Sequence, residues 1–551
     1  MKHPRKRHAL PKPILVLVLM ATAIPLPAVA ADSHDDLVRL FEAWRAFETP
    51  PLVNGAPDYT EKTSVTRAAE LPEWQARLAA IDTKGWSIED QVDWHLVRAE
   101  MNGMEFYHRV LRPWARDPAF YAQVWTYQSD TPAHEGPTNH ALVELWTYAF
   151  PLDTDAEARL VAELGAIPPL LAQARQNLTG NGRELWIAGI KNLRDQATAL
   201  RSLQESLEAP GDALAKALAA AIEATDAFVA WLEAEGEKKD GPSGIGIEDY
   251  TWSLRNVHYV PMTWEDEVRL LKRELDRSWS SLKLEEHNNR DLPPLPVIDS
   301  PETYEAHAER SVRRLADFLV EDEVLPPYPY IEPVLRAHMG QFVPEDRRNF
   351  FWTVVHYEPM VLWTHWYHWF DLARMGAMPH ASPIRRGPLL YNLWDSRSEG
   401  LSTGFEEITM RAGLYDDNPR ARELVWIMLA QRAARGLGSL YAQANTFTLK
   451  EARDFHVAWT PRGWMREDLD LLGFEQLLYL RQPGYGTSYI TGKYLLERLL
   501  AERAKQLGDA FELKSFFAEV DEAGVIPVSL IRWQLTGNDD EIRDLMARPN
   551  G

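Results

Sequence analysis

Cysteine is absent from the 551 residues. The chain therefore forms no disulfides, builds no thiolate metal centre and offers no lipobox thiol to a lipid anchor. Any metal must be held by His, Asp and Glu, a donor set suited to zinc, manganese or iron. Positive charge is also scarce, with 59 Lys and Arg against 81 Asp and Glu and a net charge of −22. That balance argues against nucleic acid and against anionic membrane surfaces as partners. Long apolar runs are missing except at residues 14–24. There Lys2, Arg5, Lys6, Arg7 and Lys12 precede or flank the run, and Ala28-Val29-Ala30 follows it. This is the pattern of a secretory signal peptide cut after Ala30, and the apolar run is too short for a membrane anchor. The expected location is the periplasm or the medium, with no membrane association after cleavage.

Strand signals are few, and no internal repeat or low-complexity tract occurs. Apolar residues recur at three and four spacing over residues 36–48, 72–82, 89–111 and 155–178, and residues 212–235 are rich in Ala and Leu. The pattern predicts an all-α protein with at most a small sheet. The stretch 291–296, DLPPLP, is the expected boundary between an N-terminal helical half, residues 31–290, and a C-terminal half, residues 291–551.

Aromatic residues make up 11% of the chain, including 21 Trp. They concentrate in residues 348–404 together with His356, Glu358, His365, His368, Asp371 and Glu399. Such groups in apolar surroundings are costly unless paired, hydrogen-bonded or metal-bound, so this segment is the candidate site. On a helix, His365 and His368 lie on one face, and Asp371 continues the spacing. The pair is suited to a metal or, equally, to hydrogen bonding within an aromatic core. Glu358 precedes Pro359 at an expected helix start, where it either caps the helix or serves as general base for a water molecule. Glu399 and Glu406 are seven apart and face the same way, as a ligand with a supporting carboxylate or as ordinary helix decoration. The turn 482–489, QPGYGTSY, feeds a long helix and sets Tyr489 near its start, with a hydroxyl able to stabilise an oxyanion.

These segments carry a family resemblance. The stretch 399–408, EGLSTGFEEI, is similar to the EGWALYAEEL helix of the large bacterial family numbered 885 in the domain-of-unknown-function series, and 483–492, PGYGTSYITG, is similar to its PGQAxxYKxG turn. Further similar segments are IEDQVDWHLVRAEM, RPWARDPAFYA and the C-terminal LGDAFELKSFFAEVDEAGVIPVSLI. The family's HExxPGHH segment is not intact here: HYEP and THWYHWFDLAR stand in its region. Tyr485 replaces the PGQ glutamine, and Ser439 and Gln443 stand where the family has an Asp…His pair.

The family resembles gluzincin metallopeptidases, which implies an elongated helical fold around a central cleft. It further implies an exported, peptidase-like, metal-dependent hydrolase of peptide or related acyl substrates. By that analogy His365, His368 and Glu399 hold zinc, Glu358 and Tyr489 act catalytically, and Trp363, Trp366 and Trp369 line the cleft. Two alternatives remain: a helical binding protein without activity, or a metal-free lyase that reuses His and Tyr as acid and base.

Overall fold

A computed structural model describes residues 33–134, 136–137, 139–467 and 470–551. The expected signal segment, residues 1–30, lies outside them. Among the described residues nearly all regular structure is helical. The strands are two-residue pairs: Leu52–Val53 antiparallel to Ala56–Pro57, and Val124–Trp125 parallel to Val143–Glu144. No helix among the described residues is long and apolar enough to cross a membrane.

The helices follow the apolar periodicity, with differences in extent. The helix expected to begin at Pro72 runs as Glu61–Ala79 with Pro72 inside it, its start fixed by a Thr60 cap on the Thr63 N–H. Residues 155–178 form two helices, Thr154–Gly165 and Ile167–Asn177, because Pro168 and Pro169 occupy the first turn of the second.

Six helices of the chain are α1 (Ile88–Phe106), α2 (Trp264–Asn288), α3 (Tyr367–Ala377), α4 (Asp395–Arg411), α5 (Ala421–Gln443) and α6 (Tyr485–Leu507), and residues of the site lie on α3 to α6. All six contribute to one large apolar core. A second core joins the helices between residues 154 and 236 to residues of the 56–148 region such as Tyr59, Trp114 and Phe120. The 291–296 stretch runs without regular structure between α2 and the helix Pro301–Glu321, and the larger core draws residues from both sides of it. Helix α5 is buried around nearly its whole circumference, which marks it as the central element.

Helix α4 is unusual in a different way. Every residue from Asp395 to Glu407 is buried, although the sequence DSRSEGLSTGFEE is mostly polar. A polar helix in the middle of a protein needs partners for its side chains, so α4 indicates where the chemistry is concentrated.

Candidate metal centre

Helices α4 and α6 cross at Gly400 and Gly492, where a Cβ on either glycine would overlap the backbone of the other helix. That close crossing brings Glu399 of α4 against the first two turns of α6. Helix α6 begins at Tyr485, earlier than the sequence pattern predicts, after Gly484 at φ +93°. Both Tyr485 and Tyr489 therefore face α4. His365 and His368 do not share one α-helix. A 3-10 turn, Thr364–Trp366, carries His365, and α3 begins at Tyr367.

The geometry brings His365, His368 and Glu399 together as a buried group able to hold a metal ion. His365 Nε2 lies 3.3 Å from His368 Nε2. Glu399 Oε2 lies 3.6 Å from His365 Nε2 and 3.1 Å from His368 Nε2. A tetrahedral ion with bonds of ~2.0–2.1 Å holds its ligand atoms ~3.3 Å apart, so these three atoms form one face of such a tetrahedron. Glu399 Oε2 is buried and faces only the two imidazole nitrogens, without a well-aligned hydrogen bond from either.

The far side of each ligand is held by a further group. Ser398 Oγ is 2.9 Å from His368 Nδ1. Glu406 Oε1 is 3.0 Å from His365 Nδ1, though the two are not aligned as a hydrogen bond. Arg432 donates to the other Glu406 oxygen at 2.7 Å. Tyr485 donates to Glu399 Oε1 at 2.5 Å, and Tyr489 donates to the Tyr485 hydroxyl at 3.1 Å. The Tyr489 ring lies near-parallel to His365, with centroids 6.0 Å apart, and the Arg435 guanidinium sits 4.0 Å from its centre. Polar groups behind the imidazoles turn both Nε2 atoms toward Glu399, the usual way a protein orients metal-binding histidines.

The electrostatics match this arrangement. Burial disfavours a charged His368, yet the adjacent Glu399 carboxylate raises its pKa to about 9. Burial works against the Glu399 carboxylate too, but His368 and His365 hold its pKa well below the usual carboxylate range. The cluster thus favours a positive charge beside Glu399, supplied by a proton or by a metal ion. Burial pushes the Tyr489 phenol well above its ordinary value, so it remains a hydrogen-bond donor.

Other residues singled out in the sequence stand apart from this cluster. Glu358 does not join it: its carboxylate accepts from the Met360 N–H at 3.4 Å, capping the short helix Pro359–Trp363, and from Asn418 at 3.1 Å. Asp371 forms a two-pronged ion pair with buried Arg397, at 2.9 and 3.0 Å. His356 is spent on backbone groups, at 2.7 Å from the Trp352 carbonyl and 3.1 Å from the Val343 N–H. Trp363 is core and stacks on Trp366, while Trp369 stacks on His338. Gln443 ties Tyr479 and Leu480 carbonyls to α5. The contributions of Tyr485, Arg432 and Arg435 were not evident in the sequence. The one hint was the i, i+3 spacing of two arginines inside the apolar pattern of α5.

Residues 53–283 match the model of a family described as a bacterial protein of unknown function, DUF885. No curated protein matches the chain by sequence. The fold is shared with two solved structures. One is described as a candidate lipoprotein of unknown function from Shewanella oneidensis: it is 18% identical, with a TM-score of 0.64 over 91% of this chain and 99% of that one. The other is described as a candidate lipoprotein from Colwellia psychrerythraea: it is 13% identical, with a TM-score of 0.61 over 94% of this chain and 100% of that one.

Proposed function

We propose that this chain, which belongs to the DUF885 family by its match over residues 53–283, is an exported zinc-dependent hydrolase of peptide or related acyl substrates. Export is supported by the signal pattern at residues 1–30 and by the descriptions of the two structural relatives as lipoproteins. Without cysteine, this chain would be exported free of a lipid on a thiol.

The observation that carries the reading is the triangle of His365 Nε2, His368 Nε2 and Glu399 Oε2, with sides of 3.1–3.6 Å. Two imidazoles and a carboxylate are a zinc donor set, and three protein ligands leave a fourth position for a reactant. Zinc bound there supplies Lewis acidity toward a water molecule and an acyl oxygen. Ser398 hydrogen-bonds the His368 imidazole behind its ligand atom, the Glu406 carboxylate lies 3.0 Å behind that of His365, and Tyr485 fixes the carboxylate of Glu399. Tyr489, kept protonated by burial, would donate to an acyl oxygen, as charge develops on it, only by giving up its hydrogen bond to the Tyr485 hydroxyl. Glu358, engaged as a helix cap, has a structural rather than a proton-moving role in this reading.

The cluster is closely buried, with His365 9%, His368 1% and Glu399 1% exposed. That favours a second reading, in which the same cation only ties α3 to α4. Turnover separates the two. Zinc-loaded protein is assayed on peptide and ester substrates beside chelated protein and the Glu399→Gln variant. Hydrolysis that needs the metal and Glu399 supports the hydrolase. Stoichiometric metal without hydrolysis supports the cation as a structural tie.

A further inference from the structure

A cavity of ≈420 Å³ has none of the metal-cluster residues in its lining. Leu478 forms part of its wall and packs in one apolar group with Tyr485 and Tyr489. Phe120, Trp125, Leu389 and Leu477 complete much of an apolar lining, and the volume is that of a small-ligand site. Charged groups in this wall are mostly paired with each other: Lys191 with Asp195 at 2.8 Å, and His134 with Glu144 at 2.7 Å.

Arg481 is different. Its Nε donates to buried Asp117 at 2.7 Å. Its two terminal nitrogens have no partner among the described residues, although the side chain is only 12% exposed. They lie against Gly136, whose φ of +98° favours glycine and where an added Cβ would make ordinary contact with Nη2 at 3.4 Å. Guanidinium N–H groups left unpaired in such a site call for acceptors, and the fork of two nitrogens matches a carboxylate.

We propose that this cavity binds a small molecule in which a carboxylate, held by Arg481, adjoins an apolar group packed against Phe120, Trp125 and Leu478. The class is that of N-acyl or peptidyl amino acids with an apolar side chain and a free carboxylate. As a substrate subsite, this rests on the hydrolase reading; as a binding site, it stands without it.

The probes are N-acetyl-L-phenylalanine and its amide, titrated calorimetrically into the full chain in the presence of chelator, so that no metal can hold the carboxylate. A charge-assisted, two-pronged contact should favour the acid over the amide by roughly tenfold or more. In Arg481→Gln that preference should fall to about twofold or less, with the amide binding as before. The comparison of acid with amide on the unaltered chain needs no variant, so a misfolded Arg481→Gln leaves the test intact. Equal binding of acid and amide, binding of neither, or a preference that survives Arg481→Gln overturns the proposal. Metal uptake is measured separately on the same preparation. A chain that prefers the acid but takes up no metal keeps this site and loses the hydrolase reading; uptake without acid preference does the reverse.

Discussion

The Tyr485 hydroxyl donates to Glu399 Oε1 at 2.5 Å, while Oε2 of the same carboxylate faces His365 and His368. The carboxylate is thereby divided: one oxygen is fixed by the protein and the other is left for a cation. Removing the fixing group should loosen the ligand without removing it. Tyr485→Phe is expected to weaken zinc binding by about 10–100-fold, measured by competition with a chromophoric chelator, while the circular dichroism spectrum stays unchanged. Unaltered affinity would show that Glu399 is not a ligand or needs no support.

Asp371 belongs to a different network. It pairs with Arg397, which is also 3.2 Å from Asp521. All three are buried, so truncating one partner strands a charge. Asp371→Ala is expected to lower stability by ~3–5 kcal/mol in urea unfolding, with zinc per folded chain unaltered. Loss of metal without loss of stability would place Asp371 at the metal instead.

Glu358 tests the distinction between a cap and a base. As the N-cap of the helix Pro359–Trp363, its replacement by Ala should cost about 1 kcal/mol and leave both metal content and hydrolysis in place. A folded Glu358→Ala protein that binds zinc but has lost hydrolysis would return the proton-moving role to this residue.

Glu267 on α2 gives a pH signature away from the metal. Burial raises its pKa from 4.5 to about 7, against hydrogen bonds from Tyr250, Thr491 and Thr487. The folded chain therefore holds a proton that the unfolded chain releases at lower pH. The stabilising contribution is fully present below about pH 4.5 and is lost as pH rises through about 7. It amounts to something on the order of 3 kcal/mol. Glu267→Gln should flatten that part of the stability curve, read as the difference from the unaltered protein between pH 4.5 and 7. An identical pH slope in both proteins would rule out this titration.

The all-α class was legible because apolar residues at three and four spacing dominate the chain. The break before Ile167 was harder to place, since that spacing continues across it and only Pro168 and Pro169 mark the new helix. Within the site, Glu399 and Glu406 were legible as a pair because seven residues make two helical turns, and His365 does touch both. The His365–His368 pairing was legible for a partly different reason from the one that operates. A 3-10 turn and a helix start, rather than one α-helical face, turn the two Nε2 atoms together. Tyr485 was not legible as a partner of Glu399, because their contact spans 86 residues. It depends on the crossing at Gly400 and Gly492, and nothing local in the sequence says which two glycines meet. Glu358 read equally as cap or base because both roles suit a carboxylate before proline; only the position of Asn418 and the Met360 N–H distinguishes them.

The most direct measurement is the metal content of the purified chain after equilibration with zinc and removal of free ion. About one zinc per chain is expected for a site of three protein ligands, removable by chelator, and absent from His365→Ala and Glu399→Gln proteins that keep their helical spectra. A folded chain that takes up no zinc, or variants that retain it in full, would contradict a metal centre at His365, His368 and Glu399.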